Sequence, residues 1–386
     1  MSKPDGTLLV NTGRPHGAGI HGVNPPIVRA STFVFDTLTA FEDASKTPFD
    51  VPFYGRVGTP TTFAFEAAMA ELEGGHRAIA TSSGVSAISA VLLGFMADGG
   101  HLLVVDTVYE PVRRFCTRML ARMGVETTFY DPAIGAEIAD LIRDDTRLIY
   151  MESPGSGTFD VLDVPAIVAA AKARAVPTAI DNTWATPLFF RPLEHGVDVS
   201  IHAATKYIVG HSDAMLGVIT TNAAVHDAVR RATQDLGACA GIEEVNLGLR
   251  GLRTLDVRLR RHAASAMQLA QWLQAQPGVA RVLHPALPDC PGHAFWARDF
   301  DGAAGLFSVE LTGGADAARQ FIDALQLFRI GFSWGGFESL VLPVHLENRA
   351  LPRWANTGAL VRLQVGLEDP DDLQRDLAQA LAVIAP

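Results

Sequence analysis

The chain has 386 residues, 48% hydrophobic and 19% charged, which allows a large buried interior and, at roughly 150 residues per domain, two or three domains. Acidic residues outnumber basic ones by 42 to 31, and the formal net charge of −11 argues against nucleic acid or an anionic membrane as the main partner. Any anion bound here must meet a local positive site.

The first 22 residues lack the basic start and apolar run of a signal peptide. The longest apolar helical stretch, Val85 to Ala97, is too short to span a bilayer, so a cytosolic protein is expected. Cys116, Cys239 and Cys290 are odd in number and far apart, which indicates neither a disulfide framework nor a Cys-x-x-Cys site. The histidines show no ligand spacing, so no metal is expected.

Residues 1 to about 60 show no sustained helical or strand period and are punctuated by proline. Such an arm is either disordered or laid across a neighbouring subunit, and Val28, Phe33, Val34, Phe35, Phe41, Phe49 and Phe53 favour the second. From Thr61 a regular pattern begins. Thr61 or Thr62 caps a helix running to Leu72, with Gly74-Gly75 ending it. Short apolar runs then alternate with helical stretches: 78–80, a helix from Ser86, 102–105, a helix from 111 to 123, 148–151, a helix from 165 to 174, and 178–180. Strands apolar on both faces and separated by helices predict a largely parallel sheet, with ligands at its carboxyl ends. Beyond residue 225, helical stretches run from 226 to 236 and from 243 to 276. A smaller α+β region follows, with strands at 280–283, 306–311 and 360–367 and helices at 315–325 and near the end.

Three places could carry chemistry. Thr81-Ser82-Ser83-Gly84-Val85-Ser86 lies between a strand and a helix, where small residues and free N–H groups suit an anion such as phosphate; a plain helix cap fits it equally. It has neither a P-loop nor a dinucleotide fingerprint. Asp181 ends a strand, suited to a metal, a base, a protonated ring nitrogen or merely a turn. Lys206 emerges just past the alternating run Val199, Ile201, Ala203, either an amine placed for chemistry or an ordinary solvated surface lysine. Together these meet the needs of pyridoxal phosphate (PLP): an imine partner, a pyridinium partner and a phosphate cradle. Arg362 lies in a strand whose apolar side chains, at 361, 363, 365 and 367, face the other way. It is either a solvent-facing arginine or a bidentate clamp for a carboxylate.

Nine segments occur in the order of the cystathionine-metabolising PLP enzymes: Asn24-Pro25-Pro26-Ile27, Ser31-Thr32-Phe33, Tyr54-Gly55-Arg56, Ser83-Gly84, Tyr109-Glu110-Pro111, Glu152-Ser153-Pro154-Gly155-Ser156, Asp181-Asn182-Thr183, Ala204-Thr205-Lys206-Tyr207 and Ser333-Trp334-Gly335-Gly336. The chain resembles that family from about residue 10 to its end. The resemblance implies an α/β, aspartate aminotransferase-like PLP-dependent transferase fold, a large mainly parallel-sheet domain with a smaller C-terminal α+β domain. The division is read as an arm at 1–60, a PLP-binding domain at 61–250 and a C-terminal domain at 251–386. It also implies a homotetramer built from two dimers with shared active sites.

Carried over residue by residue, the resemblance makes Lys206 the Schiff-base lysine and proton carrier and Asp181 the partner of the pyridine nitrogen. Tyr109 stacks on the ring, with its hydroxyl either aiding proton transfer or idle. Gly84, Val85 and Thr205, with Ser83 nearby, hold the phosphate, and Tyr54 and Arg56 complete it across the dimer. Arg362, with Ser333 and Trp334, holds the substrate carboxylate. Ala203 stands where a serine often aids the phosphate, which puts one hydrogen bond in doubt. The branch implied cleaves an amino-acid thioether, L-cystathionine, at its β-carbon. Ser156-Gly157, where many γ-acting members have Asn-Pro, and Phe332 and Trp334 lean against cystathionine γ-lyase, methionine γ-lyase or cystathionine γ-synthase. A catalytically silent PLP-binding regulatory protein is the reading from another class.

Overall fold

A computed structural model describes residues 5–15, 21–351, 354 and 359–384. Seven strands, β1 (Arg77–Thr81), β2 (Gly100–Val105), β3 (Val125–Tyr130), β4 (Thr146–Glu152), β5 (Thr178–Asp181), β6 (Val199–His202) and β7 (Gly217–Thr221), form a sheet ordered β1-β7-β6-β5-β4-β2-β3. Within it only β7 runs against its neighbours. Leu102 to Val105 and Leu148 to Met151 are fully buried, as strands covered on both faces must be. The sheet is thus largely parallel, and β4, β5 and β6 end side by side, with Glu152 opposite Asp181 and Asp181 opposite Ile201.

The remaining strands, β8 (Val279–Leu283), β9 (Leu306–Leu311), β10 (Arg329–Ile330), β11 (Leu340–Val344) and β12 (Ala359–Gln364), make a second sheet ordered β10-β11-β12-β9-β8. Two apolar cores accompany the two sheets. The helix Leu255–Gln274 enters both, giving Leu255 and Leu259 to the first and Ala266, Leu269 and Leu273 to the second. Each fully buried leucine contributes about 1.5–3 kcal/mol, so this helix fastens the halves together. Among the described residues no helix is long and apolar enough to cross a membrane.

Several expectations need correction. The arm contains two short helices, Asp5–Asn11 and Leu38–Lys46, and its start packs on its own chain: Leu9 is buried, and Arg253 donates to the carbonyls of Leu9 and Thr12. Residues 1–4 and 16–20 of the arm lie outside the described residues. The third helix is Pro60–Glu73, capped by Thr59 rather than Thr61 or Thr62, because Pro60 has no N–H to lose at the first helical position. The stretch expected as one helix at 111–123 is a short α-helix, Glu110–Phe115, followed by a π turn at Cys116–Leu120. The long stretch from 243 to 276 is two helices, Ile242–Leu252 and Leu255–Gln274. Gln364 is buried and accepts a hydrogen bond from the Tyr207 hydroxyl at 3.4 Å.

Candidate active site

Lys206 lies four residues beyond β6, in a turn closed by hydrogen bonds from its N–H to Ala203 and from the Gly210 N–H to its carbonyl. Its Nζ donates to Ser333 Oγ at 2.6 Å and sits 5.5 Å from the centre of the Trp334 ring. Burial and the neighbouring Arg362 guanidinium push the amine down to about 8, against the opposing pull of Asp181. Ser333 has φ 81°, and its carbonyl accepts from Arg362 Nη2 at 3.3 Å. One serine therefore bridges the lysine and the arginine, which come from different sheets.

Asp181 ends β5 inside the protein. Its Oδ1 accepts from both the N–H and the hydroxyl of Thr183, at 2.9 and 2.5 Å, while Oδ2 accepts none among the described residues. Thr183 Oγ1 in turn accepts the Ala203 N–H, tying the ends of β5 and β6 together. Burial raises the Asp181 carboxyl, and Thr183, His202 and Lys206 counter it. Tyr109, 42% exposed, opens the helix Glu110–Phe115, and its phenol is raised by burial first, then by Glu152 and Asp181.

Ser83 caps the helix Gly84–Met96, its hydroxyl accepting the Ser86 N–H at 3.1 Å. Gly84 and Val85 are the first two helical residues, whose N–H groups have no intrahelical acceptor. A Cβ on Gly84 would lie 2.5 Å from the Ala203 side chain, so only glycine lets this helix start meet the lysine turn. Thr205 engages Leu216: its N–H and hydroxyl donate to the Leu216 carbonyl, and the hydroxyl accepts the Leu216 N–H. Thr205 is thereby fastened to the residue that precedes β7.

The Arg56 guanidinium lies 5.8 Å from the centre of the Tyr54 ring and donates to the Gln234 side chain at 3.0 Å. The structure brings together Lys206, Asp181, Tyr109, Ser333, Trp334 and Arg362 but leaves this pair outside that group. Sequence reasoning gave no role to two further residues. Glu152, beside Asp181, follows directly on the apolar run 148–151, a signal that was available. Arg258 donates to the Tyr207 and Gly251 carbonyls, both at 2.8 Å, and fills the space beside Gly210, where a Cβ would lie 1.9 Å from its Nη1. Nothing distinguished it from the other arginines of its helix.

The profile of the Cys/Met metabolism PLP-dependent enzymes matches residues 6–382. The chain belongs to that family. Relatives similar over nearly full length include a putative cystathionine beta-lyase of Rhizobium johnstonii, 47% identical over 94% of this chain and 92% of its own. Cystathionine beta-lyase MetC of Escherichia coli is 44% identical over 98% of both chains. An L-alanine/L-glutamate racemase of Wolbachia pipientis wMel is 38% identical over 97% and 96%. The donor set fits the family's cofactor, PLP. An amine lowered toward neutrality can condense with an aldehyde, a buried carboxylate has one unused oxygen, and a helix start offers free N–H groups.

Proposed function

We propose that this chain cleaves L-cystathionine at the bond between sulfur and the β-carbon, yielding homocysteine, pyruvate and ammonia. The observation that carries the reading is the Lys206 amine, lowered to about 8 and linked through Ser333 to Arg362. PLP, when bound, supplies an electron sink at the α-carbon. Gly84 and Val85 would hold it, together with Lys206 until substrate displaces the amine, and Asp181 would offer its unengaged oxygen to the ring nitrogen. Arg362 binds the substrate carboxylate with its planar fork. The Lys206 amine takes the α-proton, the C–S bond breaks as the electron pair moves toward the β-carbon, and Lys206 returns the proton to the leaving sulfur. One water then hydrolyses the three-carbon product to pyruvate and ammonia. Tyr109, in the segment after β2, would cover the site from the same carboxyl edge of the sheet.

Gly157 supports the β-specific reading over a γ-acting one. Its φ is 80°, and proline, locked near −65°, cannot take the backbone that this loop adopts. The test is to incubate PLP-saturated protein with L-cystathionine and identify the keto acid and thiol. Pyruvate with homocysteine is the expected result; 2-oxobutyrate with cysteine overturns it. The racemase relative favours a second reading, since racemisation begins with the same α-proton. Exchange and inversion of L-alanine in deuterated water would reveal it.

We further infer an aspartate aminotransferase-like fold with the arm at 1–60, a PLP domain at 61–250 and a C-terminal domain at 251–386. The site at the carboxyl ends of a largely parallel sheet supports this, as does the second core, whose buried residues all come from Ala266 onward. A homotetramer of two dimers is inferred from the exposed arm, where Val34 is 92% exposed, with Tyr54 and Arg56 of one copy serving the site of its neighbour. Mixing Arg56→Ala with Lys206→Ala protein restores activity if that is so, and leaves both inactive otherwise.

A further inference from the structure

Glu152 is 8% exposed at the end of β4, in register with Asp181. Its Oε2 accepts the Tyr109 backbone N–H at 2.7 Å, and its Oε1 lies 2.6 Å from the Ser156 hydroxyl. These contacts fix two loops at once. Tyr109 begins the helix Glu110–Phe115, and the Ser156 carbonyl accepts from Arg349 at 2.7 Å. We propose that Glu152 is a positioning residue that, as a neutral carboxylic acid, sets the Tyr109 backbone and the Ser156 loop beside Asp181 and leaves the pair's single negative charge on Asp181. The inference rests on the reading of Asp181 as the ring-nitrogen partner and deepens it.

The hydrogen bonds themselves divide the two carboxyls. Asp181 Oδ1 accepts a backbone N–H, which cannot reverse, and the hydroxyl of Thr183, whose oxygen already accepts the Ala203 N–H, so a proton there could sit only on Oδ2, the oxygen that the proposed reading keeps for the ring nitrogen. The Ser156 hydroxyl can reverse, so a proton on Glu152 Oε1 is accommodated while Tyr109 still donates to Oε2. Two carboxyls at neighbouring strand ends in a dry site do not both ionise easily, and the proton goes to the one whose partners tolerate it. Burial, then Asp181, raises Glu152 to about 8, against Ser156, Tyr109 and Arg349. The charged and titratable groups around it are Asp181 from β5, Tyr109 from the helix start, Arg349 from the segment after β11, Tyr150 from its own strand and, beyond Asp181, Lys206.

An ionised Glu152 would add a second charge beside Asp181 and the Tyr109 phenol. Glu152→Gln imitates the protonated acid, since its amide oxygen still accepts from Tyr109 and its NH2 can donate to Ser156. Glu152→Ala removes both bonds.

The experiment compares the two variants with the parent by two readouts. The first is the unfolding midpoint of ligand-free protein against pH. Folded Glu152 keeps its proton up to about 8, whereas the unfolded chain loses it near 4.5, so the parent loses stability as pH rises through that window. Glu152→Gln is expected to lack that part of the fall. The second readout is PLP affinity and cystathionine turnover across pH. Glu152→Ala is expected to lose about tenfold in both. Glu152→Gln should recover most of that loss and carry its activity further into the alkaline range. Equal losses in the two variants, or a pH slope of unfolding identical in the parent and Glu152→Gln, overturn the proposal. If the parent makes no pyruvate, the lyase reading fails by itself, while the ligand-free comparison still decides the role of Glu152.

Discussion

The Lys206 amine donates to Ser333 Oγ across 2.6 Å, and Ser333 holds that place with φ 81°, a left-handed backbone that side chains adopt at a cost. Ser333→Gly should therefore raise unfolding stability by about 1 kcal/mol in urea titration. Ser333→Ala keeps the strain and gains nothing. Both lose the acceptor for Lys206 and should lose about tenfold in kcat. An unchanged kcat in Ser333→Ala would show that the hydroxyl is a bystander.

Lys206 imposes its own pH signature on the ligand-free protein. Its folded value, about 8, lies below the unfolded value of about 10.4, so burial of the ammonium costs stability in full below pH 8. That cost disappears as pH rises from 8 to 10.4. Lys206→Met should then exceed the parent in urea midpoint at pH 7 and lose part of the advantage by pH 10. Its lyase activity should fall at least about a thousandfold. A stability difference independent of pH would contradict the depressed lysine.

Arg362 emerges from β12 between the buried Val361 and Leu363, and its fork reaches the Ser333 carbonyl. Arg362→Lys keeps the charge but not the paired donors, so KM for cystathionine should rise about tenfold with a smaller change in kcat. A fall in kcat at constant KM would instead place the arginine in the chemical step.

Gly84→Ala puts a methyl group into the Ala203 side chain at the junction of two rigid elements. The expected cost is about 1–3 kcal/mol of stability, with weakened PLP binding measured by absorbance titration. Wild-type affinity in that variant would mean that the helix start does not bear on the cofactor.

Much of this was readable beforehand because polar residues end abruptly apolar runs. Asp181 after Thr178 to Ile180 and Lys206 after β6 are examples, as is the small-residue turn at 83–85. Other parts were hidden for physical reasons. The strand β3 forms an edge of the sheet, so Glu126, Thr127 and Thr128 break its apolar pattern. In β7 the polar Thr220 and Thr221 are buried between β1 and β6, where backbone pairing rather than side-chain pattern defines the strand. The break at Arg253-Thr254 falls between residues that both tolerate helix. The bridge through Ser333 depends on a backbone angle that no residue type announces.

Arg258 has a mechanical consequence. The helix shared by the two cores grips the carbonyl of Tyr207, the residue after the lysine, and from the other side Gly335 approaches so closely that a Cβ would lie 2.8 Å from the Tyr207 nitrogen. The lysine turn is clamped like a tool in a vice, with one jaw from each flank. If the second sheet moves, the lysine must travel with it. Freedom beside the lysine is thereby left to the exposed side chains of Phe332 and Tyr109, and if the proposed thioether cleavage holds, a bulkier substrate should be admitted by trimming these two rather than by loosening the turn.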